Sequence, residues 1–176
     1  IYYSGAFKGS LYLDTYETVS GEEIYVESYG DVDGVVIKYN KDLLVEWVTV
    51  IGGPGTDHFY KSDLTADGGL LLAGDSDTGS FKIAGSLTQS GISIKTSPQW
   101  DNAGTWRGIA FKVNDDGEAV WGKELGYTSD EGMYTVTAFT NNSFAICGLE
   151  TSDIVQSSFI RVNEDILMEE IVALES

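Results

Sequence analysis

The chain has 176 residues and carries 28 acidic against 10 basic side chains, which gives a formal net charge of −18. This charge argues against nucleic acid or an anionic membrane as a partner, because a polyanion would approach against the protein's own field. With 42% hydrophobic and 12% aromatic residues, 21 glycines and 2 prolines, the composition excludes a disordered chain and is typical of a β-rich globular protein.

The N-terminal part is predicted to contain short strands. Residues 1–7 resemble the last strand of a repeat, and residues 10–14 and 23–29 alternate in polarity with the period of half-buried strands. A polar turn at residues 31–34 then leads into the first clear unit. Four strands are predicted in this unit, at residues 35–40, 45–51, 59–65 and 70–76.

The second unit repeats this order after a long excursion. The excursion, residues 75–107, contains a predicted hairpin with strands at residues 80–84 and 92–96. Residues 164–176 occupy the position of a repeat hairpin and are therefore predicted as strand and not as helix. The strands predicted in the second unit are residues 108–114, 119–125, 134–139 and 143–150.

The two units are copies of one motif, 74 residues apart. A degenerate third copy opens at Phe159 and has Glu170 where the tryptophan would stand. Such repeats predict sheets built from one supersecondary unit and packed in series. The tryptophan is predicted to pack between neighbouring sheets, with a ligand-stacking role as the alternative. The matching pairs are Lys38/Lys112, Asn40/Asn114, Asp42/Asp116, Trp47/Trp121, Gly52/Gly126, Tyr60/Tyr134 and Gly74/Gly148.

Several of these segments resemble the repeats of secreted bacterial β-propeller proteins. The matching stretches are residues 36–47, Asp67-Gly68-Gly69-Leu70-Leu71-Leu72-Ala73-Gly74, Gly52-Gly53-Pro54-Gly55-Thr56-Asp57 and Phe7-Lys8-Gly9-Ser10-Leu11. The resemblance implies an extracellular or cell-surface protein, with adhesion or structural roles and no known catalysis in most members. The third copy departs from the pattern, because the tryptophan is lost and Ile166 replaces the turn glycine.

The predicted fold class is all-β, with β-propeller-type repeats: about two complete four-stranded blades and a partial N-terminal blade, with inserted hairpins. Residues 1–176 are taken as one domain, divided into a partial blade 1–52 and blades 53–126 and 127–176. Propellers close with four to eight blades. We therefore expect the ring to be completed by the rest of a larger chain, or otherwise by symmetric association of copies.

The residues that catalysis would use are few. His58 is the single histidine and lies in a polar turn, so a solvated surface position is predicted and a two-histidine metal centre is excluded. Cys147 is the single cysteine and is predicted to be a small core residue. A non-catalytic role is favoured over an enzyme. Paired carboxylates for glycoside hydrolysis stay open as the alternative, because no pair stands out among 28 acids.

Two acidic pairs are candidate calcium ligands. Asp31 with Asp33, and Asp75 with Asp77, place oxygen ligands at alternate positions of polar turns, as calcium sites do. The alternative is that such clusters are Asx-turns that only shape the backbone. No cofactor besides calcium is expected.

The excursion carries the predicted ligand-binding residues. Trp100 and Trp106 lie six residues apart among glycine and polar residues. With Gln99, Asp101 and Asn102 they could stack on a sugar face and bind its hydroxyl groups. The alternative is that the tryptophans cover the end of a sheet. A recognition module with a protein or glycan partner is predicted, with no nucleic acid and no membrane insertion.

Overall fold

The computed structural model describes residues 1–77, 80–85, 92–95, 106–125, 131–140, 143–150, 158–162 and 171–173. These residues form an all-β fold, as predicted, with one 3-10 turn at Thr15–Glu17. The strands are β1 (Tyr2–Phe7), β2 (Ser10–Leu13), β3 (Ile24–Glu27), β4 (Asp33–Tyr39), β5 (Val45–Gly52), β6 (Asp57–Leu64), β7 (Leu70–Ser76), β8 (Ser80–Gly85), β9 (Ile92–Lys95), β10 (Arg107–Val113), β11 (Ala119–Leu125), β12 (Glu131–Ala138), β13 (Phe144–Glu150), β14 (Ser158–Val162) and β15 (Ile171–Ala173).

Most of the described strands belong to three antiparallel sheets. Sheet 1 has the order β1-β4-β5-β8-β9, sheet 2 the order β11-β10-β7-β6, and sheet 3 the order β12-β13-β14-β15. Strands β2 and β3 form a separate two-stranded hairpin. No sheet in the described part of the chain closes on itself. Within the same residues, no helix is long and apolar enough to cross a membrane.

The register explains how the sequence repeat builds these sheets. Tyr2 pairs with Lys38, Leu71 with Lys112, and Ala145 with Arg161. The three basic residues hold the same repeat position, so β1, β7 and β13 are equivalent strands. Each sequence unit is consequently divided between two sheets, and the third copy does contribute a strand to sheet 3.

The repeat tryptophans pack between sheets. Trp47 of β5 is 2% exposed and lies in a cluster with Val36 of sheet 1 and Leu72 and Phe111 of sheet 2. Trp121 of β11 packs against the cluster between sheets 2 and 3 and stacks on Phe144 at 5.3 Å. The predicted spacer role is therefore confirmed for both residues.

The outer face of sheet 1 is covered by the chain itself. Leu11 and Ile24 of the β2–β3 hairpin belong to one apolar cluster with Val35, Ile37 and Val48 of sheet 1. Burial of these aliphatic side chains holds the hairpin in place, because apolar area removed from water stabilises the contact. The hairpin thus forms an end layer on sheet 1.

The matching glycines Gly74 and Gly148 permit a β-bulge in each unit. Tyr60 is the extra residue of a bulge in β6, and Tyr134 is the extra residue of a bulge in β12. A Cβ atom at Gly74 would lie 1.7 Å from the carbonyl oxygen of His58. At Gly148 it would lie 2.3 Å from the carbonyl oxygen of Gly132, which is the equivalent position. The bulge re-aims both tyrosine side chains and requires glycine opposite.

The excursion adds a hairpin, as predicted. Strands β8 and β9 pair with each other, and β8 also pairs with β5. The hairpin that follows β7 of sheet 2 therefore adds two strands to the edge of sheet 1. This connection brings the chain back to β10 at the end of sheet 2 where β6 begins and β7 ends. The predicted ligand-binding residue Trp106 immediately precedes β10.

Candidate binding site

A carboxylate, a histidine and a tyrosine meet where β6 begins and β7 ends. His58 and Asp75 are cross-strand partners, so their side chains share one face of sheet 2. His58 Nδ1 lies 3.1 Å from Asp75 Oδ1, and the Tyr60 hydroxyl donates to Asp75 Oδ2 at 2.8 Å. Burial, followed by the hydrogen bond to Asp75 and its negative charge, raises the pKa of Tyr60. Asp75 thereby orients both rings.

Four aromatic rings form a row across this face, which we call the aromatic row: Trp106, His58, Tyr60 and Tyr134. Trp106 stacks on His58 with ring centroids 5.5 Å apart and planes 11° apart. His58 lies 5.8 Å from Tyr60, and Tyr60 stacks on Tyr134 at 5.4 Å. Tyr60 is 47% and Tyr134 48% exposed, so the row continues from a half-buried end to an accessible one.

The environment of His58 differs from the prediction. A solvated turn residue was expected, but the side chain is 32% exposed and lies between the indole of Trp106 and the carboxylate of Asp75. The prediction was wrong because the polar neighbours of His58 in sequence say nothing about the strand beside it. Its cross-strand partner Asp75 is 17 residues away.

Two buried carboxylates anchor the chain where β4 and β6 begin. The Asp33 carboxylate accepts hydrogen bonds from the backbone N–H groups of Tyr29 and Gly30. The Asp57 carboxylate accepts one from the backbone N–H of Gly53 and one from the Ser76 hydroxyl. Both aspartates are fully buried. Burial is the main cause that raises the pKa of Asp57 to about 7, and burial also raises the pKa of Asp33. Two adjacent buried carboxylates favour a shared proton over two charges.

These anchors position the site residues. Asp57 directly precedes His58 in β6, and Ser76 directly follows Asp75 in β7. Asp77 adds a third tie, because its carboxylate accepts the backbone N–H of Thr56. The backbone on both sides of the His58–Asp75 pair is therefore held by buried or partly buried hydrogen bonds, which preorganises the aromatic row.

The structure gives separate surroundings to the predicted calcium ligands. Asp31 forms a salt bridge with Lys8 on the surface, whereas Asp33 contacts Asp57 in the interior. Asp75 faces His58 and Tyr60, whereas Asp77 binds the backbone of Thr56. Among the residues described, no group of three or more histidine, cysteine or acidic side chains is arranged to hold a metal. Calcium binding stays a prediction.

Asn114 forms an Asx-turn between β10 and β11. The Asn114 side-chain oxygen accepts the backbone N–H groups of Asp116 at 3.1 Å and Glu118 at 2.8 Å. This side chain shapes the turn between β10 and β11. Cys147 lies on β13 and is partly buried, so it is less enclosed than predicted.

Of the predicted ligand-binding residues, Trp106 belongs to the aromatic row. Gln99, Trp100, Asp101 and Asn102 lie outside the described residues. His58, Tyr60 and Tyr134 were not predicted to belong to a site. The signal that could have found the tyrosines was their equivalence in the repeat, because the matched tyrosines and the matched glycines belong to the same β-bulge in each unit.

Comparison of the chain with models of known protein families and with curated proteins finds no match. The resemblance to secreted bacterial propeller repeats therefore depends on the sequence motifs alone.

Proposed function

We propose that this chain is a non-catalytic recognition module of an extracellular or cell-surface protein, and that it binds a neutral glycan on the aromatic row. The observation that carries the proposal is the row itself, with the Asp75 carboxylate bonded to two of its members. Exposed aromatic faces stack on the apolar faces of sugars, and a fixed acceptor fits their hydroxyl groups.

The net charge of the protein narrows the class of glycan that the row is expected to bind. At −18 the protein disfavours sulfated, sialylated or uronic-acid-rich glycans, which carry the same sign of charge. The half-buried end at Trp106 and His58 and the exposed end at Tyr60 and Tyr134 suit an extended chain of neutral sugars. The exposed surfaces of Tyr60 and Tyr134 would contact neighbouring sugars, and Trp106 and His58 would support the row from its half-buried end.

We further propose that the three sheets are blades of a propeller-type array. Sheets 2 and 3 have the same strand order, and the sheets pack face to face through the repeat tryptophans. Additional blades would come from a longer chain or from further copies of this one. An array of this type places the same strand ends, and therefore the recognition residues, on one side of the molecule.

A panel of immobilised neutral glycans tests the proposed function. Tyr60→Ala and Trp106→Ala should each weaken binding about tenfold, the loss expected for one stacking contact. Tyr16→Ala is the matched control, because Tyr16 is 74% exposed and remote in sequence from the row. Circular dichroism and thermal melting would show that each variant is folded. The proposal fails if no neutral glycan binds, or if the control loses as much affinity as the site variants.

A carbohydrate-active enzyme is the second candidate, favoured by one observation. The pKa of Asp57 is raised to about 7, and a general acid must stay protonated near neutral pH. Its full burial opposes this function, because no glycosidic oxygen could reach the carboxyl group without displacing the loop at Gly53. Hydrolysis of a glycoside panel that is abolished by Asp57→Asn would establish the enzyme, and a lack of turnover would dismiss it.

A further inference from the structure

The hairpins β2–β3 and β8–β9 are inserted after equivalent strands of the repeat. Hairpin β2–β3 follows β1 and precedes β4, and hairpin β8–β9 follows β7 and precedes β10. The register makes β1 equivalent to β7, since Tyr2 and Leu71 pair with the equivalent residues Lys38 and Lys112. The two hairpins are therefore two versions of one inserted element.

Only one of the two hairpins has a neighbour on both sides within the described residues. Strand β8 pairs with β9 on one side and antiparallel with β5 on the other. Strand β2 pairs with β3, and no described strand is hydrogen-bonded to its second edge. The β5–β8 pairing thus shows, inside the same molecule, how an extended strand can occupy the edge that β2 leaves open.

The open edge of β2 offers defined hydrogen-bonding groups. Ser28 donates its backbone N–H to the carbonyl of Gly9 at 2.8 Å, so the carbonyl of Gly9 points toward the β3 side of the hairpin. Bonding direction alternates along an antiparallel strand, which turns the backbone N–H and C=O groups of Ser10 and Tyr12 to the open edge. The inner side chains Leu11 and Leu13 are packed on sheet 1, so this edge is held in a preformed position.

The exposed face beside this edge is aromatic and acidic. Tyr12 and Tyr25 are cross-strand partners, 52% and 57% exposed. Their hydroxyl groups bond to Glu23 and Glu27 respectively. Between Lys8 and Lys38 the chain has no lysine, arginine or histidine. The exposed or partly exposed carboxylates of this stretch that have no basic partner are Asp14, Glu17, Glu22, Glu23 and Glu27, because Asp31 is paired with Lys8 and Asp33 is buried.

We propose that the open edge of β2 is a docking site for an extended, lysine- or arginine-rich segment of a partner protein. The segment adds antiparallel to β2 as β5 adds to β8, and its basic side chains lie over Tyr12 and Tyr25 beside Glu23 and Glu27. Main-chain bonds supply affinity in this mode, and the charged and aromatic face supplies selectivity. A second copy of the chain would compete for this edge as a further blade of the proposed array, but it would bring another charge of −18 to an acidic face.

The test uses the full chain and a labelled, end-blocked peptide of alternating lysine and valine, followed by fluorescence polarisation. We expect saturable binding that weakens as salt is added, and no binding of the matched peptide with glutamate in place of lysine. Paired Glu23→Lys and Glu27→Lys substitutions should weaken binding about tenfold or more. Paired Asp42→Lys and Asp116→Lys substitutions are the charge-matched control, since both residues are exposed carboxylates in turns outside the hairpin.

Two measurements test strand addition separately from charge. Tyr12→Pro removes an outward N–H at a strand edge that tolerates proline, and should abolish binding, whereas Tyr12→Phe should keep it. The second measurement leaves the protein unaltered and uses two lysine peptides, each with the backbone amides of one edge methylated. Only the peptide whose methyl groups face β2 should lose binding. Equal binding of both methylated peptides and the parent, or of lysine and glutamate peptides, would overturn the proposal. A self-associated chain that Tyr12→Pro makes monomeric in light scattering would overturn it as well.

Discussion

Trp47 of sheet 1 donates its indole N–H to the backbone carbonyl of Asp115, 3.0 Å away in the β10–β11 turn of sheet 2. The same turn receives the Lys38 ammonium, which lies 2.8 Å from the Asp115 carboxylate, and the Tyr2 hydroxyl at 2.7 Å. The Lys38 ammonium and the Tyr2 hydroxyl lower the pKa of Asp115. Trp47 and Lys38 therefore join sheet 1 to this turn of sheet 2, in addition to filling the space between the two sheets.

Replacement of this tryptophan should cost more stability than its volume alone suggests. Trp47→Ala removes a buried ring and a hydrogen bond, and we expect a loss of about 4 kcal/mol in the free energy of unfolding. Trp47→Phe keeps most of the ring and should lose about half as much. Urea denaturation measures both, with Val120→Ala as control because Val120 is 54% exposed. A loss below about 1 kcal/mol for Trp47→Ala would contradict the spacer role.

The bulge opposite Tyr60 predicts a strict requirement for glycine at position 74. Gly74→Ala places a Cβ atom against the His58 carbonyl, so we expect a loss of at least about 3 kcal/mol or failure to fold. Gly21→Ala is the control, since Gly21 has a φ of +70° but nothing within 4 Å of the added atom. It should cost about 1 kcal/mol from backbone strain alone. Equal losses for both variants would show that crowding at the bulge is not the cause.

The buried carboxyl of Asp57 predicts a fall in stability toward neutral pH. Its pKa rises from 3.8 to about 7 on folding, so the folded protein binds more protons than the unfolded chain between these values. Stability from this group is complete below about pH 4 and is lost as pH rises to about 7, by at most about 1.4 kcal/mol per pH unit. Asp57→Asn should flatten this slope. Denaturation curves across the range measure it, and an unchanged slope would refute the assignment.

The contact between Tyr60 and Asp75 predicts a change in tyrosine ionisation. The hydrogen bond to Asp75 and its charge help to raise the pKa of Tyr60, so Asp75→Asn should lower it toward the ordinary value. Ring-carbon NMR titration, with the resonance assigned by Tyr60→Phe, measures the shift. Asp77→Asn is the control, because Asp77 binds the Thr56 backbone and not the tyrosine. A shift of equal size in both variants would exclude a specific contact.

The aromatic row shows why only part of the site could be predicted. Trp106 was singled out because two tryptophans in a polar loop are unusual, and the repeat marked Tyr60 and Tyr134 as equivalent. That Tyr60 and Tyr134 stack on each other depends on the packing of sheet 2 against sheet 3. The partnership of His58 with Asp75 depends on strand register, which neither residue reveals through its own neighbours.

By itself, the sequence determined the strand positions, the turns, the inserted hairpins and the spacing of the repeat. These follow from side-chain alternation and from the backbone preferences of glycine and asparagine, which act over a few residues. The tertiary structure alone decided how strands of two units share one sheet, which carboxylates are buried together, and which rings stack. Asp33 and Asp57 are 24 positions apart, and they are buried against each other because non-local packing brings the ends of β4 and β6 together.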